Sequence, residues 1–92
     1  MGGINILYTI RKYQARDSNG RFTSSAKYQL YRQNLRAEPK ENKSLINATT
    51  DLESLVDHKD VEPDSRKVII EKGKKLKAGQ QVKVRYDHYF AI

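Results

Sequence analysis

Asn19-Gly20 interrupts two long runs of strand-forming residues, and no other feature narrows the folds open to this chain as much. An Asn-Gly pair supplies positive φ at both central positions of a type I′ turn, the strongest short-range signal for a β-hairpin. Before it, Ile4, Ile6, Tyr8 and Ile10 fall on one face of an extended segment. Asn5, Thr9 and Arg11 fall on the other, with Leu7 as the exception. After it, residues 21–33 are rich in Thr, Ser, Tyr and Phe and can return as a second strand. Ser24 or Ser25 could also cap a helix carrying Tyr28, Tyr31 and Leu35 at helical spacing. The first strand's need for a partner favours the strand.

A two-residue turn at Asn19-Gly20 sets the register. Ser18 then faces Arg21, Tyr8 faces Tyr31, Thr9 faces Leu30, Arg11 faces Tyr28 and Tyr13 faces Ala26. Aromatic and aromatic–basic cross-strand pairs stabilise a sheet, by about 0.2–1 kcal/mol each. The same register sets Lys12 opposite Lys27, an unfavourable like-charge pair. Ile4, Ile6, Leu7, Ile10, Leu30 and Leu35 gather at the open end of this hairpin, while Lys12, Arg16, Arg21 and Lys27 gather at the turn end with Phe22. The open end can enter a core and the tip cannot, which describes a protruding arm over residues 1–35. An isolated two-stranded ribbon is marginal in water, so such an arm becomes ordered on something.

The remainder reads as a linker, one short helix and a C-terminal hairpin. Residues 36–50 contain Pro39 and many polar residues, with Leu45 and Ile46 as the apolar points that pin them to the body. Thr50 and Glu53 form a capping box that opens a helix over 51–58 with Leu52, Leu55 and Val56 on its apolar face. Residues 67–72 read as a strand and 73–79 as a lysine-rich connection framed by glycines. Residues 81–90 alternate cleanly, Val82, Val84, Tyr86, His88 and Phe90 against Lys83, Arg85, Asp87 and Tyr89. The expected fold is α+β and mostly β: a ββ-α-ββ order in a small antiparallel sheet or partly open barrel, with one short helix and the N-terminal arm. With 92 residues the chain is expected to form one domain with a thin core.

Charge is distributed unevenly along the chain. The net charge is +7. Residues 1–36 set seven cations against Asp17 alone, residues 37–66 are acidic on balance, and residues 67–92 are basic again. Two basic ends around an acidic middle suit a polyanion surface, or an acidic segment that neutralises a basic one. There is no cysteine, hence no disulfide framework and no Cys-based zinc site. The absence of cysteine, of a signal-peptide pattern in residues 1–12 and of a long apolar run predicts a cytoplasmic or virion-internal protein that does not enter a membrane. Ile6 stands where a myristoylation pattern wants Ser or Thr, and the sequons at Asn42 and Asn47 read as chance.

No constellation of catalytic residues stands out. His58 and His88 each lack a second ligand at metal spacing, and residues 72–79 lack the Walker pattern. Asp51, Glu53 and Asp57 could supply a carboxylate pair, but helix capping explains Glu53 and a first-turn position explains Asp51. The chain is therefore expected to be non-enzymatic, with no cofactor and no metal.

The expected function is nucleic-acid binding. Arg11, Lys12, Arg16, Arg21, Lys27 and Arg32 would neutralise phosphates, and Tyr13, Tyr28 and Phe22 would pack or stack. Lys72, Lys74, Lys75 and Lys77 would form a second patch of point charges. The same features suit a structural subunit of a phage or virus particle, with the arm reaching a neighbouring copy or an acidic protein surface. They also suit a small inhibitor or accessory protein of a nucleic-acid enzyme.

Overall fold

In the computed structural model, residues 3–16, 19–36 and 42–89 are described, with the side chains of 3, 4, 15, 16, 22–25, 88 and 89 left aside. The chain runs β1 (Gly3–Arg16), β2 (Phe22–Asn34), β3 (Ser44–Thr49), α1 (Leu52–Val56), α2 (Pro63–Gly73) and β4 (Gln81–Tyr89). The strands form one open antiparallel sheet in the order β3-β2-β1-β4. The fold is thus a small, mostly β, α+β domain, with a second helix that sequence reading did not expect.

The hairpin forms, but in a different register. Gly20 has φ of 78° while no described non-glycine residue has positive φ, so Asn19 does not adopt the type I′ conformation. The strands meet at Arg16↔Phe22, and a bulge between Gln14 and Arg16 then shifts the pairing to Tyr13↔Lys27, Lys12↔Tyr28, Ile10↔Leu30, Thr9↔Tyr31 and Tyr8↔Arg32. Each expected pair is displaced by one residue. Ser18, expected opposite Arg21, lies outside the described residues.

The physical reason is burial. A one-residue slip moves every side chain of a strand to the other face. In the observed register Leu30 joins Ile6, Tyr8 and Ile10 in the core, each of them at most 1% exposed. The expected register would have sent Leu30 outward and drawn Gln29 and Gln33 in. The shift also removes the clash of lysines. Lys12 lies opposite Tyr28, with its Nζ 5.5 Å from the ring centroid.

Two further expectations are corrected. Residues 44–49, expected as part of a linker, pair with β2 as an edge strand. Residues 67–72, expected as a strand, belong to α2, so no C-terminal hairpin forms and β4 pairs with β1 instead. Val68, Ile69 and Ile70 favour strand by propensity, but a start signal prevails. Pro63 stands at the first helical position with Asp64 in the first turn, and Lys72 lies in the last. Ser65, Ile69 and Gly73 then form one buried stripe at intervals of four.

The expected first helix is present as α1, and Leu52, Leu55 and Val56 are its buried residues. Its cap is one residue later than expected. Asp51, not Thr50, is the N-cap, and its carboxylate accepts from the Ser54 N–H at 2.9 Å. Asn47 on β3 donates its amide to the carbonyls of Ser54 and Leu55 at 3.2 and 3.1 Å, which ties the end of α1 to the sheet edge.

Both helices cover the same face of the sheet. Ile6, Tyr8, Ile10, Leu30 and Val84 from the strands meet Leu52, Leu55, Val56, Val61, Ile69 and Leu76 from the helical layer. Gly73 is where the helices touch, since a Cβ there would lie 2.6 Å from Leu52 Cδ2. Tyr8 joins the layers: its hydroxyl accepts from the Glu62 N–H at 2.9 Å and donates to the Asp60 carbonyl at 3.3 Å. Burial pushes this phenol's pKa up, against the downward pull of the Glu62 N–H and the Arg32 charge.

β1 and β2 outrun their neighbours. Pairing with β4 reaches Arg11, and pairing with β3 reaches Tyr28. The molecule is accordingly elongated, 56 × 27 × 20 Å, with a radius of gyration of 14.8 Å. A compact chain of this length would have about 12 Å.

Candidate nucleic-acid interface

The helices leave the second face of the sheet uncovered, and strand alternation determines what it carries. Side chains of residues paired directly across strands share a face. From β1 the uncovered face takes Asn5, Leu7, Thr9, Arg11 and Tyr13, and from β2 Lys27, Gln29, Tyr31 and Gln33. From β4 it takes Gln81, Lys83, Arg85 and Asp87, and from β3 Leu45 and Ala48. Arg11, Lys27, Lys83 and Arg85 are all exposed there. Lys43 adds a further cation, its Nζ 4.8 Å from the Tyr31 ring centroid.

One carboxylate lies among them, Asp87, and it is held by Arg85 at 3.3 Å. The other described acids, Asp51, Glu53, Asp57, Asp60, Glu62, Asp64 and Glu71, belong to the helices and the loops around them. Among the described residues the sheet face is positive on balance, and every acid but Asp87 lies in the helical layer, mixed there with Lys59, Arg66, Lys67, Lys72, Lys74, Lys75 and Lys77.

The face is also organised laterally. Arg11 donates to Gln29 Oε1 at 3.3 Å, and the Tyr31 hydroxyl donates to the same oxygen at 3.2 Å. The Arg11 guanidinium lies 5.6 Å from the Tyr13 ring centroid. Arg85 donates to Asn5 Oδ1 at 3.2 Å. Thr9, flanked by Tyr31 and Lys83, is 1% exposed, so long side chains close over the centre of the face. Leu45 at the β3 edge is 51% exposed. Cations alternate with half-buried tyrosines on a flat surface, a pattern that can neutralise phosphates and offer rings to bases.

The residues expected to bind phosphate divide between the two faces. Arg11, Tyr13 and Lys27 lie on the uncovered face. Lys12, Tyr28 and Arg32 point to the helical side. Lys12 donates to the Leu76 carbonyl at 3.3 Å while resting on Tyr28, so its charge secures the turn after α2. Arg32 lies beside Tyr8 with its Nε buried. Arg21 is exposed at the hairpin turn, and the side chains of Arg16 and Phe22 lie outside the described residues.

The lysine segment begins inside a helix rather than in a connecting loop. Lys72 is in the last turn of α2, Lys74 is its C-cap, and Lys75 and Lys77 follow. Lys72 and Lys75 line a cleft of about 430 Å³ with Leu76, Gln80, Gln81 and Val82. Gln81 pairs with Arg11, so this cleft adjoins the uncovered face at the end of β4.

Tyr31, Lys83 and Arg85 share this face, and Lys43 lies against Tyr31, but none of them was among the residues expected to bind. The alternation of Lys83 and Arg85 against Val82 and Val84 already set them on an outward face. What was missing was the knowledge that Arg11 and Lys27 share it, because that follows from strand order.

His58 serves its own turn, its Nδ1 accepting from the Asp60 N–H at 3.1 Å. Among the described residues no group of three or more His, Asp or Glu is placed to hold a metal ion, and no helix is long and apolar enough to cross a membrane. Family models, curated proteins and solved structures give no match to this chain.

Proposed function

We infer that this is a non-enzymatic nucleic-acid-binding protein whose contact surface is the uncovered face of its sheet. The β1–β2 ribbon beyond Lys12 and Tyr28 extends that surface as an arm. The lysine cleft after α2 supplies a second contact. One observation carries the reading: the exposed cations of three strands converge on the face that no helix covers, while the described acids other than Asp87 lie in the helical layer. Surface segregation of this kind makes a directional field that steers a polyanion to one side.

Arg11, Lys27, Lys43 and Lys83 are the phosphate contacts on this face, Arg85 being shared with Asp87. Four contacts on a single strand imply a slope of log affinity on log salt of about −2.8, hence roughly a 50-fold loss between 50 and 200 mM salt. Replacing Lys27 and Lys83 with Ala should flatten the slope by about 1.4. The measurement is a titration of labelled oligonucleotides across a salt series. An affinity indifferent to salt, or no binding at the lowest salt, refutes the reading.

A second reading draws on Leu45 and the uncovered face itself. A sheet covered on one side can bury the other against a neighbouring copy, as a subunit of a phage or virus particle or another assembly would. Sedimentation of the nucleic-acid-free protein separates the two, since that reading requires oligomers without nucleic acid.

A further inference from the structure

Where β1 runs past the start of β4, a groove of about 380 Å³ opens between Tyr13 and Gln14 on one side and Ala78 and Gly79 on the other. Tyr13 supplies an aromatic ring to the lining, and Ala78 and Gly79 supply backbone with little side chain. The Gly79 N–H donates to the Lys12 carbonyl at 2.8 Å, and the Lys12 N–H donates to the Gln80 carbonyl at 3.0 Å, which fastens the small-residue wall to the strand that carries Tyr13.

Cations flank the ring. Arg11 lies 5.6 Å from its centroid, and Lys27 is its direct cross-strand partner. An open, largely apolar groove with an aromatic ring in its lining, bordered by positive charge, matches a nucleobase with its phosphates on either side.

We propose that this groove is a base-stacking slot, and that the nucleic acid bound by this protein is therefore single-stranded. The inference rests on the nucleic-acid reading of the uncovered face and names its substrate class. A base in a duplex is already stacked and paired, and extruding it costs a few kcal/mol. A base of a single strand enters the slot without that cost. Tyr13 forms the stacking wall, Ala78 and Gly79 the opposing wall, and Arg11 and Lys27 take the flanking phosphates.

The test compares three probes on the whole wild-type protein: a short mixed-sequence single strand, the same strand with abasic sites and all its phosphates, and the matching duplex. The intact single strand should bind tightest. The abasic strand should lose affinity while keeping the same salt slope, since no charge has changed. Tyr13→Ala should cost roughly 5- to 150-fold on the intact strand, the range seen when a stacking aromatic is truncated. Tyr13→Phe should retain binding, and Ala78→Phe, which fills the slot, should lose it. Equal affinity for intact and abasic strands, or for single strand and duplex, overturns the slot while leaving the polyanion reading in place. Failure of all three probes to bind at low salt overturns both.

Discussion

Tyr8→Phe removes one oxygen from the centre of the molecule and tests how the two layers are held together. The Tyr8 ring is fully buried, and its hydroxyl is the polar link between β1 and the loop before α2. The variant keeps the ring and its packing. It loses the bond from the Glu62 N–H at 2.9 Å and the weaker bond to the Asp60 carbonyl at 3.3 Å. An ordinary hydrogen bond contributes about 1 kcal/mol net, and a donor left unsatisfied costs more than the bond was worth. Glu62 is only half-buried, so water recovers part of that cost. The expected destabilisation is about 1–2 kcal/mol. For a domain of this length that lowers Tm by roughly 4–16 °C.

Urea and thermal unfolding followed by circular dichroism measure it. Tyr31→Phe is the control, because among the described residues its hydroxyl bonds to Gln29 on the uncovered face, and it should stay within about 0.5 kcal/mol of wild type. The phenol adds a pH signature. Its folded pKa is raised, so its contribution is intact below the ordinary tyrosine pKa of about 10 and is lost as pH rises through the higher folded value. Tyr8→Phe should remove that alkaline loss. A Tyr8→Phe protein as stable as wild type, or a Tyr31→Phe protein equally destabilised, would refute the assignment of Tyr8 as the interlayer link.

Two other perturbations address the helical layer. Gly73→Ala improves helix propensity by up to about 1 kcal/mol but drives a Cβ against Leu52, which is 6% exposed and cannot retreat freely. Overpacking of about 1–3 kcal/mol should prevail. Combining it with Leu52→Ala should cost less than the sum of the single changes in urea unfolding, and strict additivity would contradict the contact. Asp51→Asn tests the α1 cap by pH. The bonds from Ser54 hold the Asp51 carboxyl below its ordinary range, so its contribution is present above that range and is lost as pH falls through the lowered folded value. The wild type should therefore lose stability relative to Asp51→Asn on acidification, and parallel pH profiles would refute the cap.

Much of this molecule was legible without coordinates. The antiparallel pairing of residues 4–16 with 22–34, the last strand and the apolar face of α1 all follow from local patterns. Alternation determines strands, and three apolar residues within five determine a helical face. Arg11, Tyr13 and Lys27 were legible as candidates because they are polar or aromatic in a strand beside a basic turn, and the structure places them on one face.

What only the tertiary structure decided is which residues share a face. Register depends on a bulge near Gln14 and on Leu30's place in the core, and a single-residue slip of β2 would turn Lys27 inward beside Lys12 and bring Tyr28 and Arg32 outward. Residues 67–72 are β-branched enough for a strand, yet the Pro63 start and the buried Ser65-Ile69-Gly73 stripe make them helix against Leu52. The meeting of Lys83 with Arg11, and of Gly79 with Tyr13, joins residues more than sixty positions apart in the chain. Local chemistry determines what a segment can be. Burial against distant segments selects which of its faces meets the solvent, and here that selection brings Arg11, Lys27 and Lys83 onto one face.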